Sequence, residues 1–264
     1  MTHRRSLCFA AVLLASFLLA LPGKAAEVAD EPKPSIGIGK GEKNAQTHLS
    51  FEGSYPEGAK IIEVSARLIV DEAPPKGLNF FALEVDFPNS TWIHGGPQLL
   101  GEEDGTASQK ANWGGLVDRG GGNDDYDLVD WKKDVKLIQC GVHQPSTVPW
   151  SWQLDREYIL TVSRGKQVRL PAGMVTVDDD VTVRAPARTM WEWHFTIEPA
   201  KPKRGDQPFE SLCYNSADSI SEFFLWNESG YGSESNEQHT RWSLPLFRLE
   251  GSSEDEVATE WQRF

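Results

Sequence analysis

Cysteine and methionine are both scarce, with three of each in 264 residues. No Cys-x-x-Cys pair, no His-Glu-x-x-His and no Gly-x-Ser-x-Gly elbow is present, so the chain lacks the usual signatures of zinc and serine hydrolases. Five histidines beyond the N-terminal segment (His48, His94, His143, His194 and His239) are scattered without ligand spacing. Basic residues are also in short supply. Lys and Arg number 26 against 39 Asp and Glu, a formal charge of −13. Nucleic-acid binding is excluded on that balance, because phosphate neutralisation needs clustered Lys and Arg. Outside the first 25 residues no apolar run approaches the length of a membrane span. No segment of 12 or more residues carries a 3.6-residue period there, and no fixed repeat marks a propeller.

The one long apolar run sits at the start. Arg4 and Arg5 precede an apolar stretch from Leu7 to Leu21, which Pro22 ends, and Gly23-Lys24-Ala25 supplies small residues for cleavage. Residues 1–25 therefore read as a secretory signal peptide. The chain is expected to be exported, to a periplasm or to the exterior, with no membrane span once the signal is removed. Cleavage takes Arg4, Arg5 and Lys24 away and leaves 23 basic against 39 acidic residues, a charge of −16. Cys140 and Cys213 then remain, and in an oxidising compartment they are a disulfide candidate, with two buried thiols as the alternative.

What is abundant is tryptophan, with ten residues, and a period of two. Phe81, Leu83, Val85 and Phe87 share one face of a segment whose other face carries Phe80, Ala82, Glu84 and Asp86. Trp191, Trp193, Phe195 and Ile197 alternate with Glu192 and His194 in the same way. Strands are expected from Tyr158 to Ser163 and from Gln167 to Leu170, joined as a hairpin by Arg164-Gly165-Lys166. A further pair flanks Asp178-Asp179-Asp180, and strands follow around Phe223–Trp226 and Trp242–Leu249. The expected organisation is a signal at 1–25, a Pro- and Gly-rich leader at 26–48, one domain at 49–250 and a polar tail at 251–264. Many short strands between Gly, Pro and Asp turns predict an all-β fold, a β-sandwich of jelly-roll or concanavalin-like type.

Four constellations carry chemistry. Glu84 and Asp86 project from one strand face about 7 Å apart, a spacing suited to acid–base work. Glu192 and His194 form a second such pair, and the two pairs could act together as a catalytic set if their strands were neighbours. Trp113 to Asp130 concentrates Asp118, Asn123, Asp124, Asp125, Asp127 and Asp130 beside glycines. No cofactor is expected, and calcium is the one candidate metal, on Asp118, Asp124, Asp125 and Asp127, since it takes six to eight oxygen ligands. Two Gly-rich segments, 92–98 and 226–232, read as loops that combine aromatic with hydrogen-bonding residues.

The Glu84-Val85-Asp86 segment resembles the Glu-x-Asp-x-Glu pattern of secreted jelly-roll glucanases, with Pro88 at the third carboxylate position. The alternating strands, Trp-rich segments and acidic loops resemble the wider group of secreted lectin-like and glucanase-like sandwiches. That resemblance implies a carbohydrate-binding, lectin-like protein whose partner is a glycan or cell-envelope component. Trp92, Trp113, Trp226 and Tyr231 would stack on sugar, and His94, Asp125, Asn227 and Glu228 would line the site. A polysaccharide-degrading enzyme, hydrolase or lyase, and a structural or adhesive envelope protein are the alternatives. Asn89-Ser90-Thr91 and Asn227-Glu228-Ser229 match the N-glycosylation pattern.

Overall fold

The computed structural model describes residues 35–37, 45–52, 56–74, 76–101, 107–116, 138–139, 146–177, 181–230, 238–258 and 260–263, all within one unit, Lys33–Phe264. The expected signal peptide, the Asp-rich segment from Asp118 to Asp130, Cys140 and Tyr231 lie outside these residues. Among the described residues there are eighteen strands and no helix.

Two sheets form a sandwich. The nine-stranded sheet contains β1 (Ser35–Gly37), β3 (Ile61–Glu72), β7 (Ile138–Gln139), β9 (Glu157–Leu170), β12 (Arg188–Pro199), β13 (Phe209–Asn215), β15 (His239–Trp242), β16 (Leu246–Leu249) and β17 (Asp255–Val257). Its main order is β1-β15-β3-β9-β12-β13-β7, with β16 pairing to β3 and β17. The seven-stranded sheet contains β2 (Ala45–Glu52), β4 (Gly77–Asp86), β5 (Trp92–Gly101), β6 (Ala107–Leu116), β8 (Ser146–Pro149), β14 (Glu222–Gly230) and β18 (Glu260–Arg263). Its order is β18-β2-β14-β4-β5-β6-β8. A separate ribbon joins β10 (Gly173–Val177) to β11 (Val181–Ala185). Every pairing is antiparallel except that of β7 with β13. β1 and the first residues of β2 fall in the stretch expected as a leader, and β17 and β18 in the stretch expected as a tail.

Alternation builds the core. Successive side chains on a strand point to opposite faces, so Phe81, Leu83, Val85 and Phe87 are buried between the sheets with Phe223 and Leu225. From the other sheet come Val64, Ala66, Leu68, Leu160, Val162, Trp193, Phe195 and Ile197. Across the interior Trp113 stacks on Phe195, centroids 4.4 Å apart and rings inclined by 4°. Gly95 lies beside this pair, where a Cβ would sit 2.5 Å from both rings. A Cβ on Gly96 would overlap the Phe81 carbonyl of the adjacent strand. These glycines are required by close approach inside a sheet.

That requirement corrects the reading of two segments as loops. Residues 92–98 belong to β5, and Trp226–Gly230 ends β14. The expected 158–170 hairpin is also corrected. β9 runs through Arg164-Gly165-Lys166 as one 14-residue strand, because it pairs along its length with β12. The register shift opposite Trp191 and Trp193 absorbs the turn-like residues as a bulge.

A polar clamp crosses the interior beside β14. Asn227 donates to Thr240 Oγ1 (2.7 Å) and accepts from Trp242 Nε1 (3.1 Å), all three side chains buried. Gln238 donates to Asn79 Oδ1 (2.8 Å) and to the Glu228 carbonyl (2.7 Å). Buried polar groups of this kind hold a register because leaving one unpaired costs about 1–3 kcal/mol.

Candidate functional site

The outer face of the seven-stranded sheet can be followed strand by strand, because the register aligns its residues in rows across β14, β4, β5 and β6. One row runs Glu222, Asp86, Trp92 and Leu116. The next runs Phe224, Glu84, His94 and Gly114. Trp226 lies opposite Ala82, and Asn112 opposite Gly96. The last row runs Glu228, Phe80, Gln98 and Lys110. Ala82, Gly96 and Gly114 make a low floor, and the large side chains stand around it.

His94 is at the centre. Its ring packs against Trp226 (4.7 Å between centroids), Trp92 (5.1 Å) and Phe80 (5.2 Å). Phe80, Ala82 and Trp226 form an apolar cluster of their own, separate from the sandwich core. His94 is only 4% exposed, and neither ring nitrogen has a hydrogen-bond partner. Its nearest acidic group is Glu84, with Oε2 3.7 Å from Nδ1. That distance exceeds a hydrogen bond, and acid–base pairs commonly stand this loosely before a ligand arrives. A buried imidazole always holds at least one unmet donor or acceptor in such a setting, and that calls for an explanation.

Asp86 supplies the second departure from ordinary surface chemistry. Burial raises its pKa, with the charges of Glu84 and Glu222 adding to the effect, and the carboxyl is pushed up to about 6. Its Oδ1 is buried and accepts no hydrogen bond. Asn112 is buried as well. Its Nδ2 donates to Gln98 Oε1 (2.8 Å), and its own Oδ1 has no partner. The face therefore joins aromatic rings to three polar side chains with unused hydrogen-bonding capacity. Clustering of this kind, with a displaced pKa, is characteristic of functional sites.

Glu192 and His194 are not part of this face. They project from β12 on the outside of the nine-stranded sheet, opposite in direction to Trp193 and Phe195. Sheets in a sandwich pack about 10 Å apart, so the Glu84–Asp86 pair and the Glu192–His194 pair lie on opposite outsides. The structure does not bring the four together as one catalytic set. Glu192 Oε2 is 3.6 Å from His194 Nε2, and Lys166 Nζ is 3.9 Å from Glu192 Oε1. The His194 ring lies over Gly165, where a Cβ would be 2.6 Å from Nε2. Burial, reinforced by the Glu192 charge, raises the pKa of Tyr214 across the strand.

Two other expected ligand residues are corrected. Trp113 is fully buried and stacks on Phe195 between the sheets, so it is not open to a sugar. Asn227 faces inward and forms the polar clamp, because its place in β14 puts it on the face of Phe223 and Leu225. Trp92, His94 and Trp226 do share the outer face with Glu84 and Asp86, and Glu228 stands at its far row. Asp118, Asp124, Asp125, Asp127 and Tyr231 lie outside the described residues. Among the described residues no group of three His, Cys, Asp or Glu side chains is placed to hold a metal ion.

Neither glycosylation pattern presents a free amide. Asn227 is sealed inside, and Asn89 Nδ2 donates to Asn215 Oδ1 (2.9 Å) and Ser216 Oγ (3.2 Å) while its Oδ1 accepts from Thr91 Oγ1 (2.6 Å). The residues that sequence reasoning missed are Phe80, Gln98, Asn112, Phe224 and Glu222. Strand period alone could have placed Phe80 beside Glu84, but the partners from β6 and β14 needed the sheet order. No known protein-family model matches the chain, and no curated protein is similar to it.

Proposed function

We propose that this chain is an exported, lectin-like glycan-binding protein, a sandwich of jelly-roll or concanavalin type whose ligand lies on the outer face of the seven-stranded sheet. The observation that carries the reading is the set of Trp92, Trp226 and Phe80 around His94, Glu84 and Asp86. Sugar rings offer apolar faces that stack on aromatic side chains and rims of hydroxyls that pair with carboxylates, amides and imidazole. A site of few, well-placed polar groups among aromatic ones is the usual form of a small-ligand pocket. The test is a glycan-array screen of the purified protein, with calcium and with EDTA. Selective binding that Trp92→Ala removes supports the reading. Absence of binding by folded protein moves the function to the structural or adhesive alternative.

A second reading, cleavage of the glycan, is favoured by one observation. Asp86 holds its proton up to about pH 6 beside Glu84 on the same strand face. Residues i and i+2 of a strand stand about 7 Å apart, inside the roughly 6.5–9.5 Å that inverting hydrolases use between acid and base. The arrangement suits a hydrolase better than a lyase, since no Lys or Arg stands in the rows of Glu84 and Asp86 to stabilise a developing enolate. Release of reducing ends that Asp86→Asn stops would support it.

Two smaller expectations belong to the same account. The parallel register sets Leu212 opposite Gln139, and the next residue of each segment is a cysteine. That register supports a Cys140–Cys213 bridge, in keeping with a bonded Cys213. Calcium on Asp118, Asp124, Asp125 and Asp127 rests on their composition, and EDTA should lower the melting temperature if it binds there.

A further inference from the structure

The charge distribution of the site points to its ligand class. This inference rests on the glycan-binding reading above. We propose that the outer face of the seven-stranded sheet takes a glycan bearing free amino groups, a glucosamine-type oligomer, whose ammonium docks at Glu84 and Asp86 while its ring stacks on the half-buried Trp92, which lies opposite Asp86.

Three observations converge. The Asp86 Oδ1 atom is buried with no donor, and a carboxylate oxygen can only be satisfied by a donor. The groups facing Asp86 are Glu84 on its own strand and Glu222 on β14, with His94 on β5 beyond Glu84 and no Lys or Arg in those rows. Lys110 on β6, the one cation of this face among the described residues, is in the row of Phe80 and Gln98. His94, 4% exposed and without a partner, is set against Glu84 and turned toward the same floor. A uronate entering here would meet two or three carboxylates and would be repelled, since like charges in a partly desolvated site cost energy. A neutral sugar would satisfy hydrogen bonds but not charge. An ammonium satisfies both, and the rings of Trp92 and Trp226 attract cations through their faces.

The same arrangement predicts proton linkage. Burial, with the charges of Glu84 and Glu222, holds the proton on Asp86, and an ammonium beside the carboxyl favours its ionised form, so binding should release a proton from Asp86 below about pH 6. Affinity should therefore rise as pH increases from 5 to 6, a window in which the sugar amine keeps its own proton.

The experiment is calorimetric titration of the whole protein with a glucosamine oligomer, the matching neutral glucose oligomer and an oligogalacturonate, at pH 5 and pH 6. The expected order is glucosamine over glucose by about tenfold or more, with the uronate weakest. Trp92→Ala, confirmed as folded by its thermal melt, leaves the net charge unchanged and should abolish the glucosamine signal. That result separates the site from general attraction of an acidic chain for a polycation. Glu84→Gln and Asp86→Asn, confirmed as folded by thermal melts, should lose the preference for glucosamine while keeping glucose binding. Equal or tighter binding of the glucose or uronate oligomer overturns the inference and leaves the glycan reading standing. Glucosamine binding that Trp92→Ala does not weaken also overturns it. No binding of any of the three overturns both.

Discussion

The two outer faces of the sandwich carry the same pair of residues in different circumstances. Glu84 and His94 approach to 3.7 Å on one face, and Glu192 and His194 to 3.6 Å on the other. The His94 side chain is 5% exposed and boxed in by three aromatic rings, whereas that of His194 is 39% exposed above a glycine. Water can satisfy the second imidazole, while the ring nitrogens of the first are buried without a hydrogen-bond partner. The difference teaches that an acid–imidazole pair is not itself a site. Its surroundings decide whether hydrogen-bonding capacity is held in reserve for a ligand. On the face of the seven-stranded sheet the fold leaves His94, Asp86 and Asn112 with polar atoms unused, which lowers stability and, on the proposed reading, leaves them for a ligand.

The comparison can be broken most decisively by binding. Trp92→Ala should reduce affinity for the glycan selected on the array by about tenfold or more, the scale of an anchoring aromatic residue worth about 2 kcal/mol. His194→Ala should leave affinity within about twofold, a surface change well inside ±0.5 kcal/mol. Equal losses from the two variants would remove the distinction between the faces.

Stability should separate the faces next. His94→Phe replaces unmet polar atoms by an apolar ring and should gain about 1 kcal/mol, a rise in Tm of about 2–4 °C for a chain of this size, while binding is lost. His194→Phe should leave Tm nearly unchanged. Thermal melts of the two variants measure the contrast.

The pH dependence of stability is a finer test. The raised pKa of Asp86 means that the folded state holds a proton the unfolded chain releases at lower pH. Stability should then fall as pH rises from about 4 to about 6, and stay lower above that window. Asp86→Asn should raise Tm at pH 7–8 and have almost no effect at pH 4. A gain of equal size at both pH values would refute the assignment. The smallest effect belongs to the other face. Glu192→Gln removes a charge beside Tyr214 and should lower that phenol's pKa slightly, read by ultraviolet titration of tyrosine.

Much of this was legible in the sequence, for reasons that particular residues make plain. The alternation of Phe81, Leu83, Val85 and Phe87 with Glu84 and Asp86 is strong because one face of β4 meets the core and the other does not. It yields both the strand and the outward acid pair. Trp92, His94 and Trp226 read as residues of two separate loops, and the structure brings them together on one sheet face. Gly95 and Gly96 look like turn residues, and only the Phe195 and Trp113 rings beside the first and the Phe81 carbonyl beside the second explain them. Trp113 and Asn227 carried no mark of their inward direction, since an isolated aromatic or amide reads alike on either face. The separation of Glu84 from Glu192 is a matter of sheet membership, which local pattern does not encode.

The most direct measurement follows the indole N–H resonances of the protein by NMR while the array-selected glycan is titrated in. The account predicts that Trp92 and Trp226 shift together with saturable binding, while Trp113 and Trp191 hold their positions. A saturable shift at Trp191 with Trp92 and Trp226 unmoved would place the ligand elsewhere and contradict the assignment of function to the outer face of the seven-stranded sheet.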